Sequence, residues 1–443
     1  MKVVIVGGVA AGASAAARLR RLDEQAEIIV FEKDAHVSFS NCSLPYHLSG
    51  IVADSDALVM MTPESFRSRH AIDVRVKSEV IRIDREHKRV FVRDLNDGSE
   101  YEEYYDRLIL ATGAKPVLPR SIPGIERENV HVIRNVEDIV KIRAAFDQPQ
   151  VNHVCIAGGG FIGIEAAENA RKAGKEVTLI EGASQILAPF DEDMVQILHK
   201  ELDDHGVRLH LDTRVRSIEA DGIIATHEGK ELWIPCDLVI MAIGVRPETK
   251  LASDAGLTIG ETGGVRVNHN YQSDDPDIYA IGDVIESFNA LTHRPGRLAL
   301  AGPAQRQARA AADHICGRQH HEHGFIGSSC IRVFTQNAAA TGLNETTASE
   351  AGLSFDSVLI FPNDRVSLMP DCAYMAFKLI FEVPTGKILG AQAIGRGECD
   401  KRVDVIAAMI TMHATLEDLK ELELCYAPPY STAKDVVNQA ALV

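Results

Sequence analysis

Cys42 is the one cysteine in the stretch SFSNCSLPYHLSG, residues 38–50, where its neighbours are small or polar and Pro45 follows soon after. A thiol attacks as its thiolate, and the positive end of a helix is one place where that anion is stabilised. Pro45 marks the first turn of a predicted helix and Ser43 its candidate cap, so Cys42 falls just before the helix start. The other cysteines (155, 236, 316, 330, 372, 399 and 425) are scattered with no CxxC pair, which suggests neither a zinc cage nor a disulfide framework. Most of them read as reduced, buried thiols.

Two glycine runs carry a second kind of chemistry. The apolar run VVIV, residues 3–6, leads into Gly7-Gly8-Val9-Ala10-Ala11-Gly12 and then the helix-favouring ASAAARLRRL. Strand, tight glycine turn and helix form the first arm of a dinucleotide-binding unit, in which the backbone approaches a pyrophosphate held at the helix N-terminus. A second strand, EIIVFE, ends at Glu32, which lies 25 residues after Gly7 and suits the hydroxyls of an adenosine ribose. Val9 stands where the strict fingerprint has glycine. The pattern returns in HVCIAGGGFIGIEAAENARKAGKEVTLIEG, where Gly158, Gly160 and Gly163 complete GxGxxG and Glu181 closes the following strand. Glu181 favours the free 2′-hydroxyl of NADH, and GASQIL after it brings no Arg or Lys; NADH is the expected nucleotide, with NADPH left open.

Two units imply two dinucleotides, and three further stretches favour FAD plus NAD(P)H. LILATG ends at Thr112-Gly113, a small-residue turn where a chain can cross close to a cofactor. IYAIGDV ends at Gly282-Asp283, whose carboxylate can accept hydrogen bonds from ribityl hydroxyls, and MAIGVRPE, with Gly244, marks the return from an inserted nicotinamide unit.

Composition sets the outer limits. A chain of 443 residues with 46% hydrophobic and 25% charged residues is expected to fold into two to four globular domains. Its formal charge of −17 argues against non-specific nucleic-acid binding. No apolar run approaches the roughly 20 residues of a bilayer span, and MKVVIVGG opens directly into a strand, so a cytoplasmic location is expected. QHHEH, residues 319–323, lacks companion ligands and reads as a solvated linker, with no metal site.

Taken together, GGVAAGASAAARLRRL, VSFSNCSLPYHLSG, LILATGAKP, GGGFIGIEAAE, MAIGVRPET, IYAIGDV, LALAGPAQRQAR and LELCYAPPYSTAKDVVNQAA resemble the two-dinucleotide-binding disulfide reductase flavoproteins. The resemblance is to their single-cysteine branch, which holds coenzyme A disulfide reductases, NADH oxidases and peroxidases, and NADH-dependent persulfide or polysulfide reductases. It implies a glutathione reductase-like α/β fold: two Rossmann-like dinucleotide-binding domains and a C-terminal α/β dimerisation domain. The expected boundaries are a discontinuous FAD domain at 1–112 and 245–322, an NAD(P)H domain at 113–244 and a homodimer-forming domain at 323–443. Persulfide reductases of this branch often continue into a rhodanese domain, which the sequence to Val443 is expected to lack.

The resemblance also implies an order of events: NADH reduces the flavin, and the flavin reduces sulfur at Cys42. Two-cysteine relatives carry CxxxxC; here His47 takes the second place, so the other sulfur or oxygen comes from the substrate. The implied substrate is a persulfide, a polysulfide or a coenzyme A mixed disulfide. Coenzyme A contacts carry over to Ser14, Arg18, Arg21, Ser38 and Asn41, and the proton donor to Tyr426 of YAPPY, supplied by the partner subunit, with Tyr430 second. Relatives place another tyrosine where this chain reads Ser367-Leu368-Met369-Pro370, which puts efficient coenzyme A disulfide reduction in question. Oxidase and peroxidase members usually hold a histidine in the first glycine turn; Val9-Ala10-Ala11 stands there instead, which lowers the oxygen chemistries. An NADH oxidase and a redox-sensing or electron-transfer flavoprotein remain the alternatives.

Overall fold

The computed structural model describes residues 1–320 and 323–443. Two of its units are built on the same plan. In the first, the apolar runs form a five-stranded parallel sheet in the order Ile278–Ala280, Arg107–Leu110, Lys2–Val6, Glu27–Phe31, Asp73–Arg75. In the second, the order is Val207–His210, Glu176–Ile180, His153–Ala157, Leu238–Met241, Val130–His131, again parallel. Central strands of such sheets are covered on both faces, which is why VVIV and VCIA are unbroken apolar runs. Each unit also carries a three-stranded antiparallel meander: Ser78–Asp84, Arg89–Asp94, Glu100–Tyr104 in one and Thr213–Ile218, Gly222–His227, Lys230–Pro235 in the other.

The glycine turns match atom for atom in their demands. Gly7 has φ +101°, and a Cβ there would lie 2.2 Å from the Ala111 carbonyl oxygen; Gly158 has φ +114°, with the Ala242 carbonyl oxygen at 2.2 Å. A Cβ on Gly12 or Gly163 would meet the carbonyl oxygen of Gly7 or Gly158 at 1.8 Å. These positions are closed to other residues by the strand-to-helix crossing itself. Gly160 differs: nothing lies within 4 Å of its would-be Cβ, leaving open space at the start of the helix Phe161–Lys172.

The two units meet through a short antiparallel ladder, Ala114–Pro116 against Val245–Pro247. Thr112 Oγ1 donates to the Glu248 carbonyl at 2.8 Å, and the Glu248 amide donates to the Gly113 carbonyl at 2.9 Å. Residues 245 onward return to the first sheet, where the helix Ala301–Ile315 packs on the helix Ala10–Leu22 through fully buried alanines, among them Ala15, Ala16, Ala308 and Ala311.

The third unit is an antiparallel sheet in the order Ser329–Val333, Gln336–Gly342, Ile388–Gly395, Met375–Glu382, Phe355–Ile360, covered by the helices Cys399–Thr411 and Val436–Ala441. It is locked to the second unit by Lys378, 2% exposed, whose ammonium meets Asp191 at 3.1 Å, Asp193 at 2.9 Å and Glu345 at 2.9 Å. Gln392 adds a reciprocal pair with Asp191, so the buried charges are compensated. Among the described residues no helix is long and apolar enough to cross a membrane. His321 and Glu322 of QHHEH lie outside the described residues.

Gly158→Ala forces both a strained φ and a clash with backbone, so it is expected to cost about 2 kcal/mol or more in a denaturant titration. Gly160→Ala is expected to stay within about 1 kcal/mol of the parent while losing nicotinamide nucleotide affinity, since its methyl group enters open space.

Candidate active site

The segment bearing Cys42 is wired directly to the first glycine turn. Ser38 adopts φ +50°, and its amide donates to the Gly8 carbonyl at 2.9 Å; the Gly8 amide in turn donates to Glu32 Oε2 at 2.8 Å. Glu32 Oε1 accepts from the Asp34 amide at 3.0 Å, so this acid shapes the turn. From Ser38 the chain runs beside Leu58 and Val59 and enters a single tight turn, Asn41–Ser43, followed by the short helix Leu44–Leu48.

That helix belongs by sequence to the first unit but buries its apolar face in the second. Phe39, Leu44, Leu48 and Leu58 join one core with Ile139, Ile142 and Ile164. Its polar ties run the same way: Arg143 donates to the Leu48 carbonyl at 2.7 Å, and Ser49 Oγ donates to Asn169 Oδ1 at 2.6 Å. Pro45 sits in the first turn as expected, but Ser43 forms no side-chain cap; its hydroxyl pairs with Ser40 Oγ at 2.7 Å.

Cys42 is exposed to the cleft between the units, yet enough protein surrounds it to raise its thiol pKa. Burial is the main cause, and the carboxylates of Glu165 and Asp283 push the same way. The helix that follows is only five residues long, so it offers a weak positive end to the thiolate, while burial, then Glu165 and Asp283, raise the thiol pKa. Glu165, on the nucleotide helix of the second unit, was not singled out in the sequence, although it sits inside the GGGFIGIE motif. Its carboxyl is held up to about 7 by burial and by Glu168, against the lowering effect of the Tyr46 hydroxyl, which donates to Oε1 at 3.4 Å. The Tyr46 hydroxyl is itself pushed up to about 12, by burial first and by Glu165 second.

The residues expected to hold the flavin line the cleft on the other side. Ala11 packs against Gly282, where a Cβ would come within 3.0 Å of its own. The Gly282 amide donates to the buried Gln307 Oε1 at 2.7 Å, fixing the turn that presents Asp283. Asp283 makes no hydrogen bond to any described residue, and burial raises its pKa. An unpartnered carboxylate, a cradle of glycines and an acid at the strand end fit an FAD with its ribityl hydroxyls at Asp283. In the second unit Glu181 repeats Glu32: Oε2 accepts from the Gly159 amide at 2.6 Å and Oε1 from the Ala183 amide at 2.8 Å. Gly244 has φ +113° and accepts from the Val117 amide at 2.9 Å, at the foot of the connecting ladder.

The expected coenzyme A contacts are divided. Ser14, Arg18 and Arg21 lie along one helix, Ser38 above the glycine turn, and Asn41 is exposed beside Cys42. Arg18 is already engaged by Asp313, at 2.6 Å, and Arg21 by the Ala17 carbonyl. Arg20, between them, ties together the carbonyls of Glu24, Ala26, His70 and Ala71 and is a structural residue. Tyr426 and Tyr430 are 52% and 67% exposed on the third unit. Near them Leu368, Tyr374 and Phe361 are also exposed, and the Val366 amide ties this loop to the Pro428 carbonyl.

Between pH 4.5 and about 7 the folded chain keeps a proton on Glu165 that the unfolded chain releases. Stability therefore falls as pH rises through that window, by about 3 kcal/mol at most. Glu165→Gln is expected to flatten this part of the pH dependence in thermal melts, and to lower the midpoint pH for alkylation of Cys42 in the flavin-free chain.

Comparison with known proteins accords with this geometry. The chain is 31% identical over 443 residues to a coenzyme A disulfide reductase of Staphylococcus epidermidis, covering 99% of this chain and 98% of the relative. The crystal structure of reduced Bacillus anthracis CoADR-RHD is similar with TM-score 0.97 and 42% identity, over 100% of this chain and 79% of that one. An NAD-dependent persulfide reductase from A. fulgidus is similar with TM-score 0.96 and 36% identity, over 100% and 82%. Residues 1–308 match the pyridine nucleotide-disulphide oxidoreductase family and residues 329–436 its dimerisation domain. Two glycine turns of one plan, the cysteine at residue 42 and a match across nearly the whole length lead to one conclusion: the chain belongs to the pyridine nucleotide-disulphide oxidoreductases, enzymes that use FAD and NAD(P)H.

Proposed function

We propose that the chain is an NAD(P)H-dependent reductase of persulfides, polysulfides or coenzyme A mixed disulfides, with Cys42 as its one redox sulfur. The observation that carries this reading is that Cys42 opens onto a cleft between two dinucleotide turns and that all eight cysteines are free, so no second sulfur in the chain is paired with it. The FAD domain comprises 1–112 and 245–322, the NAD(P)H domain 113–244 and the dimerisation domain 323–443. Gly7, Gly8, Ala11, Gly12, Glu32, Thr112, Gly113, Gly282 and Asp283 hold FAD; Gly158, Gly160, Gly163, Glu181 and Gly244 hold the nicotinamide nucleotide.

FAD, when bound, supplies the route by which an electron pair passes from NAD(P)H to sulfur. Cys42 Sγ, as thiolate, attacks the outer sulfur of a persulfide and displaces the organic thiolate, which takes a proton; with a coenzyme A disulfide the same attack leaves a mixed disulfide on Cys42. Two electrons then break the new S–S bond, restore the Cys42 thiolate and release hydrosulfide or thiolate. Burial, Glu165 and Asp283 raise the Cys42 thiol pKa in the flavin-free chain, and the attack requires loss of that proton. In the homodimer, Tyr426 of the partner subunit protonates the leaving sulfur; its exposure on a domain of the dimerisation type supports this placement. Ser14, Arg21, Ser38 and Asn41 receive coenzyme A, and Arg18 joins them by exchanging its bond to Asp313 for a phosphate. Unpaired cysteines throughout fit the reducing cytoplasm. Val9-Ala10-Ala11 in the first turn offers no histidine for oxygen chemistry.

Cys42→Ser is expected to lower NADH-dependent release of hydrosulfide from coenzyme A persulfide by about a thousandfold or more, while anaerobic bleaching of the flavin by NADH persists. Full turnover in that variant, or stoichiometric oxygen uptake with NADH alone, would end this reading. Tyr426→Phe is expected to lower kcat about 10- to 100-fold with little change in flavin reduction, read by stopped-flow absorbance.

A further inference from the structure

The internal duplication provides a comparison within one chain. In the first unit the Ser78 amide donates to the Glu32 carbonyl at 2.9 Å and the Lys77 amide to the Asp34 carbonyl at 3.2 Å. In the second, the Thr213 amide donates to the Glu181 carbonyl at 2.9 Å and the Asp212 amide to the Ala183 carbonyl at 2.9 Å. Lys77 and Asp212 both adopt positive φ, 51° and 48°, and both meander strands break register three residues later, after Val80 and Val215. The correspondence is residue for residue, and it makes Glu79 the counterpart of Arg214 and Lys33 the counterpart of Gly182.

The first unit thus carries Lys33 and Glu79 at these two places beside its ribose acid, a neutral pair. The second carries Gly182 and Arg214, which leaves one positive charge. Arg214 lies along the turn: a Cβ on Gly182 would meet its Cγ at 3.5 Å and its Nε at 3.9 Å. Its guanidinium is exposed and forms no ion pair or hydrogen bond with any described residue. The neighbouring acid is occupied, both Glu181 oxygens accepting backbone amides of its own turn. In a unit of this kind the acid marks the ribose 2′-hydroxyl, and an arginine beside it is the group that accommodates a 2′-phosphate.

We infer that Arg214 is a specificity-determining residue through which the second dinucleotide site accepts a 2′-phosphate, so that NADPH is used alongside NADH despite Glu181. The inference rests on the proposal that the second glycine turn binds the nicotinamide nucleotide. It was invisible in GASQIL because the cation comes from a strand about thirty residues further on, not from the loop after the acid.

The test is calorimetric and independent of sulfur chemistry. ADP-ribose and 2′-phospho-ADP-ribose are titrated into the FAD-loaded enzyme and into its Arg214→Ala variant. Loss of the charge-assisted bond is expected to weaken 2′-phospho-ADP-ribose at least about tenfold while ADP-ribose stays within about twofold. In steady state, kcat/KM for NADPH falls by a similar factor and that for NADH holds. If the variant weakens both probes equally, or neither, the role of Arg214 is overturned. If the parent enzyme binds neither probe, the nucleotide placement itself fails and this inference with it.

Discussion

The apolar face of the five-residue helix after Cys42, buried in a core that belongs to another domain, is the contact on which the rest of the site depends. A helix of that length has almost no stability of its own. Leu44 and Leu48, 1% and 0% exposed, each contribute about 1.5–3 kcal/mol by burial against the second unit. Arg143 and Asn169 then fix its end. The thiol is held in the cleft because the segment that carries it bridges two domains, tied to Gly8 at one end and to the nucleotide helix at the other.

This bridging explains the electrostatics of the site. Bringing two dinucleotide units together places acids from both beside one sulfur: Asp283 from the first and Glu165 from the second. Each is desolvated by the same closure, so each has a raised pKa, and each disfavours a second negative charge on Cys42.

What could be read from the residues alone was local. Both glycine turns, their terminal acids and the lone cysteine announce themselves because each demand falls within a few positions: a strand, a turn without Cβ, a helix. Glu165 was missed because an acid on a helix is unremarkable until another domain's tyrosine and cysteine are packed against it. Arg143 was missed for the same reason, and Arg214 because it reaches the turn from a strand about thirty residues further along. Ser43 shows the opposite failure: its residue type and position predict a cap, but Ser40 offered its hydroxyl a nearer partner. Arg18 looked free for a ligand until the helix Ala301–Ile315 brought Asp313 against it.

The ladder of Ala114–Pro116 against Val245–Pro247 means that the inserted unit leaves and re-enters its host at a single point, through two adjacent strands. Its ends are neighbours, so removing or replacing the whole cassette opens no gap that the parent sheet must span. Such an architecture lends itself to recombination at that junction, provided a replacement cassette matches the redox helix's apolar face through its own Arg143 and Asn169 equivalents and keeps the Asp191 and Asp193 contacts to Lys378 and Gln392 of the third unit.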